Sequence, residues 1–145
     1  MTEIEFHVNV PDKMRYSCRL LRKAYRSGAN AVVTAEAEVL IQLDQLLWSF
    51  APTEFLPHCT RSAPLHTLAA TSIQFAEQLQ GCSKDSVLIN LGQHPPMHFE
   101  RFQRFIEVAS DQQDDILAAR ARWKHYKDRG YLLKKHDLPI AAEAA

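Results

Sequence analysis

Arg120, Arg122, Lys124, Lys127 and Arg129 stand around Trp123 and Tyr126 in the stretch from Ile116 to Tyr131, where Asp128 is the only acid. The chain balances 17 basic against 17 acidic side chains, so positive charge concentrated here is offset elsewhere. At about 100° per helical residue, Ile116, Arg120, Trp123 and Lys127 share one face, with Lys124 at its margin. Arg122, His125 and Arg129 fall on the opposite side. A flat apolar ring flanked by guanidinium and ammonium groups suits a ligand carrying both a carboxylate and a hydrophobic group. Two other readings fit the same residues. Trp123 and Tyr126 could be half-buried core beneath a solvated basic face, or the cations could hold phosphate. Zero net charge argues against a strong general nucleic-acid binder.

A second group is Trp48, Phe50 and Phe55 in WSFAPTEFLPH, where Pro52 and Pro57 stiffen the chain outside regular structure. Large aromatics on a stiff loop either anchor a partner protein or plug the core end of the preceding helix.

Other chemistry is not indicated. There is no G-x-x-x-x-G-K-[ST], and the turn after the first strand reads VPDKM rather than a glycine-rich phosphate cradle. No G-x-S-x-G or C-x-x-C occurs. His94 and His98 are separated by Pro95-Pro96, and His58 and Cys59 are neighbours that a strand would turn to opposite faces. No catalytic, cofactor or metal site is therefore expected. Cys18, Cys59 and Cys82 read as reduced thiols rather than a disulfide framework. The first residues, MTEIEFHVNVPDK, place acids where a secretory leader needs lysines, and no long apolar run follows. A cytoplasmic protein without a membrane span is expected.

These side chains need a scaffold, and the hydrophobic pattern supplies one. Alternation over Glu3–Val10 predicts a strand with Ile4, Phe6, Val8 and Val10 on one side. Asp12 caps a helix with a Met14, Cys18, Leu21, Tyr25 stripe that ends at Ser27-Gly28. Ala31–Val33 predicts a second strand. Thr34 would cap the next helix, striped by Val39, Leu43, Leu46 and Leu47 and stopped near Trp48 to Phe50 by Pro52. Phe55–His58 and Leu65–Leu68 read as short strands, and Thr71–Gln80 as a helix. Val87–Leu91 is a buried strand, His98–Arg104 a short helix and Phe105–Ala109 another strand. The last helix opens on Asp111, Asp114 and Asp115, which suit its dipole, and ends at Gly130. This alternation predicts a single three-layer α/β/α domain over residues 1–138, with a mainly parallel sheet and nucleotide-binding-like topology, followed by a frayed tail over 139–145.

In this order the motifs A-Y-R-S-G (Ala24 to Gly28), L-D-Q-L-L-W-S-F (Leu43 to Phe50), E-F-L-P-H (Glu54 to His58), V-L-I-N-L-G (Val87 to Gly92), F-I-E-V-A-S (Phe105 to Ser110) and A-R-A-R-W-K-H-Y-K-D-R-G-Y (Ala119 to Tyr131) are similar to one family. The chain resembles the chi subunit of bacterial DNA polymerase III holoenzyme. The resemblance implies an accessory subunit without catalysis of its own. It would pair with the psi subunit of the clamp loader, bind the acidic, Phe-ended tail of single-stranded-DNA-binding protein, and meet DNA only indirectly. Carried over by position, the tail contact implies Arg120, Trp123, Lys124 and Lys127, with Ala109 and Gly130 lining the pocket. Trp123 replaces a common tyrosine, Lys127 replaces an arginine, and Ile116 stands where a basic residue can occur. The psi-facing surface implies Trp48 and Phe55. Thr67 to Ser86 matches poorly, and nothing is transferred onto it. The rival classes are a direct single-stranded nucleic-acid binder and a degenerate nucleotide-binding enzyme.

Overall fold

The computed structural model describes residues 1–50, 55–82 and 84–137. Within them the chain runs β1 (Glu3–Val10), α1 (Lys13–Arg26), β2 (Ala31–Thr34), α2 (Ala37–Phe50), β3 (His58–Thr60), α3 (Leu65–Ala70), β4 (Ile73–Phe75), β5 (Val87–Asn90), β6 (Arg104–Ser110), α4 (Gln113–Asp128) and β7 (Leu133–Asp137), with one 3-10 turn at Phe99–Arg101. Residues of the expected tail, 139–145, lie outside the described residues.

The strands form one seven-stranded sheet in the order β3-β4-β2-β5-β6-β1-β7. Every pairing is parallel, so the expected mainly parallel sheet is wholly so among the described strands. Parallel strands need crossovers, and helices cover both faces, giving the three-layer α/β/α architecture. Alternation along β6 divides the core. Ile106 and Val108 join Cys18 and Leu21 of α1 and Leu40, Leu43 and Leu47 of α2. Phe105 and Ala109 join Ala119 and Tyr126 of α4 with Phe99 and Phe102. Each fully buried large side chain among these contributes about 1.5–3 kcal/mol from removal of apolar surface.

Local chemistry sets the element ends. The Asp12 side chain accepts from the Arg15 amide at 3.1 Å and opens α1. Gly130, at φ +86°, turns the chain after α4 into β7 in a region where a Cβ is disfavoured.

Several expectations need correction. Ile4, Phe6 and Val8 do pack toward α4, but Val10 packs toward α1 and α2. Asn9 adopts φ 59°, and the β1–β6 register shifts between His7 and Val10, so the two-residue alternation breaks there. Thr34 closes β2 instead of capping α2, which begins at Ala37. Tyr25 is exposed and outside the α1 stripe. The strand expected at Phe55–His58 begins only at His58, and Leu65–Leu68 is helical. Within the expected helix Thr71–Gln80, Ile73–Phe75 is a strand whose Ile73 and Phe75 are buried on either side of a half-buried Gln74. The helix expected at His98–Arg104 shortens to the 3-10 turn, and Arg104 already belongs to β6. Strand β7 has no counterpart in the sequence reading.

Candidate functional site

The connections of β1 and β6 leave in opposite directions: β1 leads through α1 to β2, and β6 leads through α4 to β7 on the other side of β1. Where adjacent strands part in this way, the carboxyl ends of an open sheet leave a crevice. Here that crevice continues as a groove of about 450 Å3 beside α4. Phe6, Val8 and Ala109 come from the sheet, while Ile116, Ala119, Arg120 and Trp123 come from α4. Asn9, Ser110 and Lys135 complete the lining.

The groove is apolar between two cations, Arg120 and Lys135. Trp123 is partly buried and meets Phe6 edge to face, with ring centroids 5.2 Å apart. That contact fixes the indole and leaves part of it open to solvent. Asn9 donates to Asp137 Oδ1 at 2.9 Å, tying β1 to β7 at the mouth.

Of the residues implied for the tail contact, Ala109, Arg120 and Trp123 therefore share one groove. Lys124 and Lys127 are exposed on the same helix but do not line it, and Gly130 lies beyond the helix end. Ile116 does line it. The sequence reading missed Phe6, Val8 and Asn9, which it treated only as strand, and Lys135, which sits on the unforeseen β7.

Arg122 and Tyr126 belong to different chemistry. Neither faces solvent: Arg122 is 1% and Tyr126 0% exposed. Both point at Glu107 on β6. Arg122 Nε donates to Glu107 Oε1 at 3.0 Å, Tyr126 donates its hydroxyl to Oε2, and Asn90 Nδ2 donates to both oxygens at 3.1 Å. Arg122 Nη1 reaches the Gln93 carbonyl at 3.1 Å. Burial pushes the Glu107 carboxyl upward, and Arg122 opposes that shift most strongly. Burial also pushes Tyr126 upward, so its hydroxyl stays neutral and donates. This network holds α4 against β6 and thereby sets Arg120 and Trp123 over the groove.

Asp115, in the first turn of α4, anchors the other end. It accepts from the Ser110 amide at 2.7 Å, from Lys13 Nζ at 3.1 Å and from Gln93 Nε2 at 3.1 Å. Burial raises its pKa, but the Ser110 amide and Lys13 outweigh burial and hold the carboxyl below the usual range.

On the far side of the molecule, Trp48 and Phe55 are 54% and 62% exposed. Their ring centroids lie 5.1 Å apart, and Trp48 also contacts the His58 ring at 4.7 Å. Phe50 is half-buried against the core, so this group divides between surface and plug.

Basic charge is less confined to α4 than the sequence reading held. Helix α1 carries Lys13, Arg15, Arg19, Arg22, Lys23 and Arg26 without an acid. These bases are spread along the length of an amphipathic helix, interleaved with its buried stripe.

A second crevice, at the carboxyl ends of β2, β4 and β5, is lined by Glu36, Glu77, Asn90, Gly92 and His94. Carboxylates there disfavour a nucleotide's phosphates, in keeping with the missing glycine-rich turn.

A family model described as DNA polymerase III chi subunit, HolC, matches residues 1–134. The chain belongs to the chi family. Among similar proteins, the DNA polymerase III subunit chi of Pseudomonas aeruginosa is 30% identical over 145 residues, covering 96% of this chain and 99% of the relative. That of Haemophilus influenzae is 26% identical over 125 residues, covering 84% and 85%. Among solved structures, the C-terminal domain of S. cerevisiae Dbp5, bound to Gle1 and IP6, matches with a TM-score of 0.59. It covers 99% of this chain and 94% of that one at 8% identity, a likeness of fold alone. Membership in the chi family makes this chain an accessory subunit of a replicative polymerase assembly. No described helix is long and apolar enough to cross a membrane.

Proposed function

We propose that this chi-family chain is a non-catalytic adaptor that links the clamp loader to single-stranded-DNA-binding protein. The groove beside α4 takes the acidic, Phe-ended tail of that protein, and the Trp48/Phe55 surface takes psi. The observation that carries the reading is the groove itself: an apolar floor with Trp123 at its side and a cation on each flank, Arg120 and Lys135. A terminal phenyl group fills the apolar part while its free carboxylate meets a guanidinium or ammonium group. Capture of a chain end by such groups is an established mode of peptide recognition. Lys124 and Lys127, exposed farther along α4, extend positive charge toward the aspartates that precede the Phe.

A contact of this kind is modest in affinity and weakens with salt. Several tails on one partner tetramer raise its effective strength. Trp48 and Phe55 form an exposed aromatic pair of the type that anchors interfaces.

The test is association of the purified chain with single-stranded-DNA-binding protein, intact and with its acidic tail removed, on single-stranded DNA. Loss of association with the tail supports the adaptor. Undiminished association would instead favour direct nucleic-acid binding, with α1 as the surface to examine.

A further inference from the structure

Glu5 and His7 alternate with Ile4, Phe6 and Val8 on β1, so they face away from α4 and toward α1. His136 lies directly beside His7 on the neighbouring strand β7. Parallel register therefore brings two imidazoles and a carboxylate out of one face of the sheet. Glu5 Oε1 sits 3.0 Å from His7 Nε2 and 2.6 Å from His136 Nε2. One ligand atom from each of the three residues lies within 4.8 Å of the other two. The two rings are tilted, with centroids 5.1 Å apart. The ligand atoms of a tetrahedral zinc site stand roughly 3.3 Å from one another, so small side-chain rotations suffice to admit an ion.

The surroundings match what a metal-ligating histidine needs. His7 is 8% exposed, and its Nδ1 meets the Tyr16 hydroxyl from α1. A hydroxyl both donates and accepts, so it can serve either imidazole tautomer. With Nδ1 carrying the proton, Nε2 is free to ligate, and Tyr16 holds the ring in position. His136 is half exposed, which leaves the fourth position open to water. Arg104 approaches Glu5 only at 3.9 Å, on the other carboxylate oxygen.

We propose that Glu5, His7 and His136 form a site for a divalent transition cation of the zinc type, with water as fourth ligand. The ion clamps the edge strand β7 to β1. Its ligands lie on the sheet face opposite Lys135, so it firms the strand that carries Lys135 into the groove without entering the groove. The site is independent of the proposed tail contact.

Chelator-treated protein is titrated with Zn2+ by calorimetry and with Co2+ by visible absorption. One ion per chain, with the intense visible bands of four-coordinate cobalt, is the expected result. Because His7 is buried, the deciding variant is His136→Asn at the exposed edge, with Glu5→Gln alongside. Both should weaken Zn2+ binding at least tenfold while far-ultraviolet circular dichroism is unchanged. Zn2+ should also raise the midpoint of thermal unfolding in the original chain and not in His136→Asn. Absence of saturable binding, or binding unchanged in folded His136→Asn, would overturn the proposal.

Discussion

Arg122 lies with its Nε 3.0 Å from Glu107 Oε1, both side chains sealed from solvent, whereas Arg120 two residues earlier is exposed over the groove. Two arginines on one helix thus have separate duties. The buried one fixes where α4 sits; the exposed one meets whatever enters the groove.

Arg120→Ala is expected to weaken binding of the acidic tail peptide by about 1.5–3 kcal/mol, the loss of a charge-assisted hydrogen bond. Its stability should stay within about 0.5 kcal/mol of the original, since the side chain is exposed. Peptide calorimetry and urea unfolding on the same preparations measure both. Unchanged affinity would remove Arg120 from the site.

Arg122→Ala should act in the opposite way. It leaves Glu107 buried without its cation and should cost about 3–5 kcal/mol of stability. Combining Arg122→Met with Glu107→Gln removes both charges but keeps an acceptor for Tyr126 and Asn90, and should recover part of that loss. Chemical unfolding of the single and double variants checks the sign. A stable Arg122→Ala chain would mean that the network does not hold α4.

The stretch around β6 and α4 marks how far the sequence reaches. Glu107 interrupts the apolar run F-I-E-V-A, and that was a signal that a buried cation must answer it. The helical wheel sets Arg122 apart from the Arg120 and Trp123 face, but it does not say which face meets the sheet. Periodicity gives relative direction only; which face meets the sheet follows from the connection of β6 to β7. Strand β7 was illegible because LKKHD lies at an edge, largely exposed, and shows no apolar alternation. Lys135 and His136 were lost with it. Ile73–Phe75 imitates a helix in sequence because Ile73, Ala76 and Leu79 follow helical spacing, although only Ile73 of these lies in the strand and Ala76 and Leu79 are buried in the segment after it. By contrast, the apolar run of β5, the largely apolar β6 and the capped α1 were legible, since burial on both sheet faces and the Asp12 cap leave direct traces in residue type.

Trp48→Ala and Phe55→Ala should each reduce co-purification with psi while leaving the tail peptide's affinity unchanged. Neither residue of the exposed pair lines the groove, so the two functions should separate. Equal loss of both would point to misfolding rather than a lost interface.

Asp115 predicts an acid-sensitive stability. Its pKa in the folded chain is below the ordinary aspartate value of 3.8, so its contribution is fully present above that value. It is lost as pH falls through the lower folded value. Asp115→Asn should therefore lower stability by about 1–3 kcal/mol near neutrality and by less in acid. Urea unfolding at about pH 7 and about pH 3 compares the two chains. An equal difference at both pH values would show that the Lys13 and Ser110 contacts do not depend on ionisation.

The central claim is that the groove grips a free chain end through its carboxylate and terminal ring. The direct measurement is calorimetric titration of the acidic, Phe-ended peptide beside the same peptide with its C-terminus amidated. The account predicts measurable binding of the first, at least tenfold weaker binding of the second, and loss of the first in Arg120→Ala. Equal affinity for the two peptides would contradict it.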